Sequence, residues 1–232
     1  MNDLNTQITA ELSRLGADLV GFGDLTELPP EVRHNMPVGI SFGICVPREI
    51  VRGIAEAPTL EFWDYYHSGQ DDLAQLAEMS AQFLHSLGLT AVPITKENVK
   101  FVGPLRSELP LKTLATLAGL GWIGKCALLA TERFGTAIWF GGILTDAPLT
   151  TSAPITESKC GDCNVCTQRC PGGAASGLLW NAGLDRDDFF DAQKCAAAGR
   201  ERANAYLGID YPLCGRCIAV CPRTRRYLEG GE

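Results

Sequence analysis

The spacing of the cysteines limits what this chain can become more than any other feature does. Cys160, Cys163, Cys166 and Cys170 read C-x2-C-x2-C-x3-C, with Pro171 closing the run. Farther on, Cys214, Cys217 and Cys221 read C-x2-C-x3-C, with Pro222 in the same place. This is how thiolates are spaced around paired [4Fe–4S] clusters, where three cysteines of a run hold one cluster and the fourth crosses to the other. The second run lacks its first cysteine, and Tyr211 stands there instead. Cys195, in DAQKCAAAGR, is the one nearby replacement. Cluster I is therefore assigned to Cys160, Cys163, Cys166 and Cys221, and cluster II to Cys170, Cys195, Cys214 and Cys217.

Other uses of these cysteines fit less well. Zinc asks for two separated C-x2-C pairs, with no third cysteine in step and no closing proline. Disulfides need an oxidising compartment, and MNDLNTQITAELSRLG has neither the basic start nor the apolar stretch of an export signal. A cytoplasmic, oxygen-sensitive protein is expected.

With 46% hydrophobic residues, the chain can bury one ordinary core plus a small, metal-held appendage. The cysteine map places a main domain over residues 1–154 and a two-cluster domain over 155–232, joined through TTSAPITESK. No apolar run approaches the ~20 residues of a membrane helix, so no membrane partner is expected. A net charge of −7 argues against non-specific nucleic-acid binding. Arg216, Arg223, Arg225 and Arg226 are a local exception. They read either as a solvated charged tail or as a docking point for an acidic electron donor beside cluster I.

In the amino-terminal region, Leu4, Ile8, Leu12 and Leu15 share one helical face, and Gly16 stops it. ADLVGFGDL reads as a strand, and ISFGICV as a strand buried on both faces, with Cys45 as core. Residues 70–87 read as a helix ending at Gly88, with Met79 and Phe83 in its core stripe. LTAVPI and TAIWFGGILTD are further strands. His34 and His85 are expected at the surface. Lys112 to Ala118 should be helical, after which Gly119, Gly121 and Gly124 follow in quick succession, with Trp122 and Lys125 between them. Two readings stand for these glycines: close backbone approach to a ligand, or a tight turn packing a helix on a sheet. The segment matches neither the Walker loop nor the dinucleotide fingerprint. Cys126 reads as buried filler or as a neighbour of a cofactor. Tyr65, Tyr66 and His67 read as pocket lining or as an aromatic helix start.

AGLGWIGK, followed by FG, LTDAPL and the first cysteine run, resembles epoxyqueuosine reductase and its shorter relatives over roughly residues 25–225. The resemblance implies an α+β fold: a nitroreductase- and corrinoid-reductase-like sandwich followed by a bacterial-ferredoxin-like two-cluster domain. It also implies a ligand from between the runs, matching Cys195. The implied cofactor of the sandwich is cobalamin in place of flavin, bordered by Gly119, Gly121, Trp122, Gly124 and Lys125. Low-potential clusters would reduce its cobalt to a nucleophilic state.

The chain departs from the long enzyme in two ways. Where that enzyme has an aspartate general acid, GPLRSELPLKT offers only Glu108, out of register. The helical-repeat tail is also absent. A transfer-RNA substrate is therefore not expected, and Tyr66 and Glu108 are the remaining candidates for catalysis. The expected function is reduction of a small molecule through two clusters and a corrinoid, fed by a low-potential ferredoxin or flavodoxin. The alternatives are an electron carrier that reduces the corrinoid of a partner protein, favoured by the missing proton source, and a flavin-binding reductase.

Overall fold

The computed structural model describes residues 3–230. In chain order its elements are α1 (Leu4–Arg14), β1 (Leu19–Asp24), β2 (Val38–Cys45), α2 (Arg48–Gly53), α3 (Leu60–Ser86), β3 (Ala91–Pro93), β4 (Phe101–Gly103), β5 (Arg106–Ser107) and α4 (Leu111–Leu117). They continue with β6 (Trp122–Ile123), β7 (Leu129–Ala130), β8 (Ile138–Thr145), α5 (Val165–Gln168), α6 (Arg186–Phe189), α7 (Ala192–Leu207), α8 (Arg216–Val220) and α9 (Pro222–Leu228). The class is mixed α and β, with small sheets. No described helix is long and apolar enough to cross a membrane.

The chain forms two compact units that are not consecutive in sequence. The first holds the chain up to Ile44, Gly69–Leu120 and Trp139–Ile155; the second holds Cys45–Ser68, Gly121–Ile138 and everything from Thr156. Two earlier segments, Cys45–Ser68 and Gly121–Ile138, thus join the cysteine-rich unit.

The first unit is built on a four-stranded sheet in the order β1-β2-β8-β3. Ile8 and Leu12 of α1 and Leu73, Leu76, Ala77, Ala81 and Leu84 of α3 pack against Phe22, Ile40, Phe42 and Ile143 from the strands. β2 is buried along most of its length, matching its unbroken apolar run. Phe83 packs at the rim of this core. Met79, expected in the stripe, is 41% exposed, because the positions that define the buried face leave it on the far side of the helix. α3 also begins ten residues before the expected start. Thr59 caps it, its Oγ1 accepting from Phe62 N at 3.2 Å, so the aromatic segment forms its opening turns.

Glycines on three strands make a trough for α4. Gly23 and Gly39 are direct cross-strand partners. A methyl group at Gly23 would lie 2.9 Å from Ala118 N and from Leu117 C, while one at Gly39 or Gly142 would run into the side chain of Leu114. Seated there, α4 ends in a Schellman cap: Gly119 has φ +72, Gly119 N donates to Thr116 O (3.2 Å) and Leu120 N to Ala115 O (3.0 Å). We predict that Gly23→Ala lowers stability by about 1–3 kcal/mol, as overpacking does. Gly39→Ala should cost less, because a Leu114 rotamer can move where α4 backbone cannot. Urea unfolding under anaerobic conditions, showing equal midpoints for the two variants, would refute the trough.

Candidate functional site

Past Gly119, which ends α4 on the sheet as a packing turn would, the glycine segment enters the second unit as a tight hairpin. β6 and β7 pair antiparallel, Trp122 opposite Ala130 and Ile123 opposite Leu129. Gly124 N donates to Leu128 O and Ala127 N to Gly124 O, both at 2.8 Å. Ala127 takes φ +57 to close the turn. Gly121 has no room for a side chain, since a Cβ would overlap Ala130 O. The tip, Gly124-Lys125-Cys126, then meets the cysteine runs. A Cβ at Gly124 would lie 3.7 Å from both Cys126 Sγ and Cys160 Sγ. Lys125, only 4% exposed, donates from Nζ to Asn164 Oδ1 at 2.9 Å, inside the loop between Cys163 and Cys166. The Cys126 thiol is within hydrogen-bonding reach of Cys166 and Cys217. The Cys166 contact favours its thiolate, but the Cys217 contact and complete burial outweigh that and push the thiol up.

The second cysteine group is organised by α7. Asp191 caps this helix by accepting from Lys194 N at 2.9 Å, and two glycines let it approach the flanking loops. A Cβ at Gly172, just after Cys170 and Pro171, would meet Lys194 O at 2.7 Å and Ala198 Cβ at 2.8 Å. One at Gly199 would meet Pro212 Cα at 3.2 Å. The helix turn from Lys194 to Gly199, which carries Cys195, is thereby held against the loop of Cys170 and the residues leading to Cys214. Ala174 N donates to Cys170 Sγ at 3.3 Å. Among the described residues, no three metal-binding side chains are gathered as a single ion would need.

The other candidates are occupied within their own units. Tyr211, in the place of the missing cysteine, packs edge-on against Trp63 (5.1 Å between centroids) and Tyr66 (5.7 Å). Its hydroxyl donates to that of Tyr66 at 3.4 Å. His67 adjoins the same group and is exposed, while Tyr65 donates to Cys45 O at 3.0 Å. Glu108 pairs with Lys100 at 2.8 Å. It lines a cleft of about 370 Å³ in the first unit with Val32, His34, Ile94 and Leu109. Trp122 is buried, its Nε1 without a hydrogen-bond partner among the described residues, and its ring lies under Arg223 (4.6 Å) and Lys159 (5.6 Å).

No family model matches the chain. Curated relatives do. Epoxyqueuosine reductase of Aliivibrio fischeri is 32% identical over 136 residues, covering 56% of this chain and 36% of that protein. The enzyme of Listeria monocytogenes is 37% identical over 125 residues, 51% and 30% of the two chains. Over these stretches the chain is similar in sequence to epoxyqueuosine reductases. It spans about a third of the length of these relatives. Its fold is likewise that of an epoxyqueuosine reductase solved with a modified transfer-RNA stem loop (TM-score 0.63, 17% identical, 96% of this chain and 65% of that one). It is also that of a reductive dehalogenase described in terms of B12-dependent dehalogenation (TM-score 0.66, 18% identical, 96% and 33%).

Iron–sulfur clusters and a corrinoid are the two cofactors that the resemblance implies. An ammonium group buried among protein atoms needs an anion nearby, and Lys125 has only a neutral amide. An anionic iron–sulfur cluster held by the cysteines around Asn164 would supply that charge, and the Ala174 N–H is the kind of donor that such sulfurs accept. Among the residues expected to border a corrinoid, several are engaged by protein atoms. The side chains of Trp122 and Lys125 are spent on the cysteine-rich unit. Gly121 and Gly124 close against Ala130 O and against Cys160 Sγ, and Gly119 caps α4.

Cys195→Ser should remove about half of the iron, the share of one of two equal clusters. Gly172→Val should do the same by forcing α7 off the Cys170 loop. Cys126→Ser should leave the iron intact. Full iron in the first two variants, or a loss in the third, would require a different ligand set.

Proposed function

We propose that the chain is an iron–sulfur oxidoreductase that accepts single electrons on two [4Fe–4S] clusters and passes them to a corrinoid for the reduction of a small molecule. The observation that carries this reading is the buried Lys125 ammonium, aimed into the first cysteine run with no anionic partner among the described residues. Cys160, Cys163, Cys166 and Cys221 would hold the cluster beside it. Cys170, Cys195, Cys214 and Cys217 would hold the other, in the bacterial-ferredoxin-like pattern. Bound clusters supply one-electron storage at low potential, and a bound corrinoid supplies nucleophilic cobalt.

The chain's own residues do three things here. The thiolates fix the clusters, the β6–β7 hairpin excludes water from the ligands that it touches, and Lys125 offsets negative charge. That offset favours the reduced, more negative state. Lys125→Met, close in volume but uncharged, should therefore shift one cluster to a more negative midpoint potential without loss of iron. Potentiometric titration followed by electron paramagnetic resonance measures this, and unchanged potentials would sink the proposed role.

A second reading has its own support. Tyr66, Glu108, Trp122 and Lys125, the side chains best placed by sequence to serve a substrate or a corrinoid, are all engaged by protein partners. That favours a carrier that reduces the corrinoid of another protein. Anaerobic titration with cob(II)alamin separates the two: a changed cobalt resonance on mixing supports a resident corrinoid, and an unchanged one leaves the carrier. The relatives' names point to modified transfer RNA, but this chain lacks the aspartate motif upstream of AGLGWIGK and is acidic. No mobility shift with a transfer-RNA stem loop is expected at physiological salt, and micromolar binding would restore that substrate.

A further inference from the structure

The arginines after the last cysteine form part of a cationic face whose position is informative. Arg223 and Lys159 both lie over the buried ring of Trp122. One follows Cys221 by two residues and the other directly precedes Cys160, so both stand beside ligands proposed for cluster I. Arg223 also donates to Glu132, which fixes its position and neutralises part of its charge. α9 carries the rest: Arg225 and Arg226 are exposed and make no ion pair with any described residue. Arg48 stacks on Tyr227 of the same helix at 5.0 Å. Arg133 lies over Phe134 at 4.8 Å, and that ring meets Tyr227 edge-on at 5.3 Å. Arg216, by contrast, is 14% exposed in its side chain and paired with Glu56, so it takes no part. Aromatic rings thus hold Arg48, Arg133 and Arg223 in place, which lowers the entropy that a partner must overcome to engage them.

A concentration of positive charge on a chain of net charge −7 steers acidic partners to one spot. We propose that the face formed by α9, Lys159 and Arg133 is the docking surface for a small acidic one-electron carrier protein, and that electrons enter at the cluster held by Cys160 and Cys221. Electrons would pass near Trp122, since the same short strand leads to Gly124 against Cys160 Sγ. The inference rests on the reading of the first run as a cluster site. An RNA phosphate backbone is the other polyanion that such a face attracts. The deep-seated tryptophan and the adjoining cluster ligands favour the redox protein, because they give a docked electron somewhere to go.

The test is the double charge reversal Arg225→Glu/Arg226→Glu in the full, cluster-loaded protein. Stopped-flow reduction by an acidic two-iron ferredoxin should slow by at least about tenfold at low salt, the size of electrostatic steering. The difference should shrink as salt screens it. Reduction by methyl viologen, a small cation that needs no docking surface, should not slow. Equal rates with ferredoxin, or equal slowing with both reductants, would overturn the proposal. So would loss of stem-loop RNA binding with ferredoxin reduction intact. Failure of the cluster reading would look different, because the unaltered protein would then show no reducible iron–sulfur signal with either reagent.

Discussion

An ammonium group enclosed by protein must be neutralised, and this requirement ties the parts of the cysteine-rich unit together. The cost of an unpaired buried charge is several kcal/mol, more than any single contact of the hairpin returns. Yet the hairpin places Lys125 inside and gives it one neutral amide, Asn164. The sequence around it makes sense on the same terms. Gly124 lies beside Cys160, whose sulfur a Cβ there would touch only at van der Waals distance, 3.7 Å. The tip turns at Ala127 with φ +57, which aims Lys125 inward, and Cys126 fills the space between Cys166 and Cys217 with a neutral, polarizable atom. An anionic cluster turns this costly burial into an electrostatic asset.

The absent first cysteine of the second run has a structural counterpart. Tyr211 occupies its position and joins Trp63, Tyr66 and His67 at the start of α3. A ring cannot replace a thiolate, so the proposed cluster II would need a fourth donor from elsewhere. α7 can bring Cys195 to it because Gly172 and Gly199 remove the side chains that would keep the helix away. Gly215 repeats the device at α8, where a Cβ would meet Ile54 at 2.7 Å and Phe62 at 3.0 Å. Loss of a ligand, gain of an aromatic contact and glycine at the approach points are thus linked.

Much of the first unit was legible in the sequence, because its signals are local. α1, β1, β2, α4 and β8 stand where apolar periodicity and glycine stops put them. The apolar stripe of residues 70–87 does not reach the start of α3, whereas the alternative of an aromatic helix start at Tyr65, Tyr66 and His67 falls within it. The helix that continues past Gly69 overrides one glycine at a cost of about 1 kcal/mol. The β6–β7 hairpin was missed because Gly121 and Gly124 resemble ligand-binding glycines. The alternation in WIGKCALLA was the available signal, and a strand of two residues is too short to show it clearly. The interleaving of Cys45–Ser68 and Gly121–Ile138 with the cysteine-rich unit was beyond any local pattern, since it depends on contacts far apart in the chain.

Positive charge is divided between two positions that do different work on the same cysteine run. Lys125 is inside, where low dielectric makes its field strong and salt does not reach it. With the proposed cluster bound, its effect would be on the energy of an added electron. Arg225 and Arg226 are outside, where screening makes them nearly irrelevant to that energy but effective on an approaching anion at low ionic strength. Exchanging the two would fail: a buried guanidinium pair would need two anions, and a solvated lysine would hardly move a potential. Burial therefore decides which cation tunes and which attracts. The short hairpin between them, with Trp122 under the outer charges and Lys125 at its tip, makes these two functions neighbours.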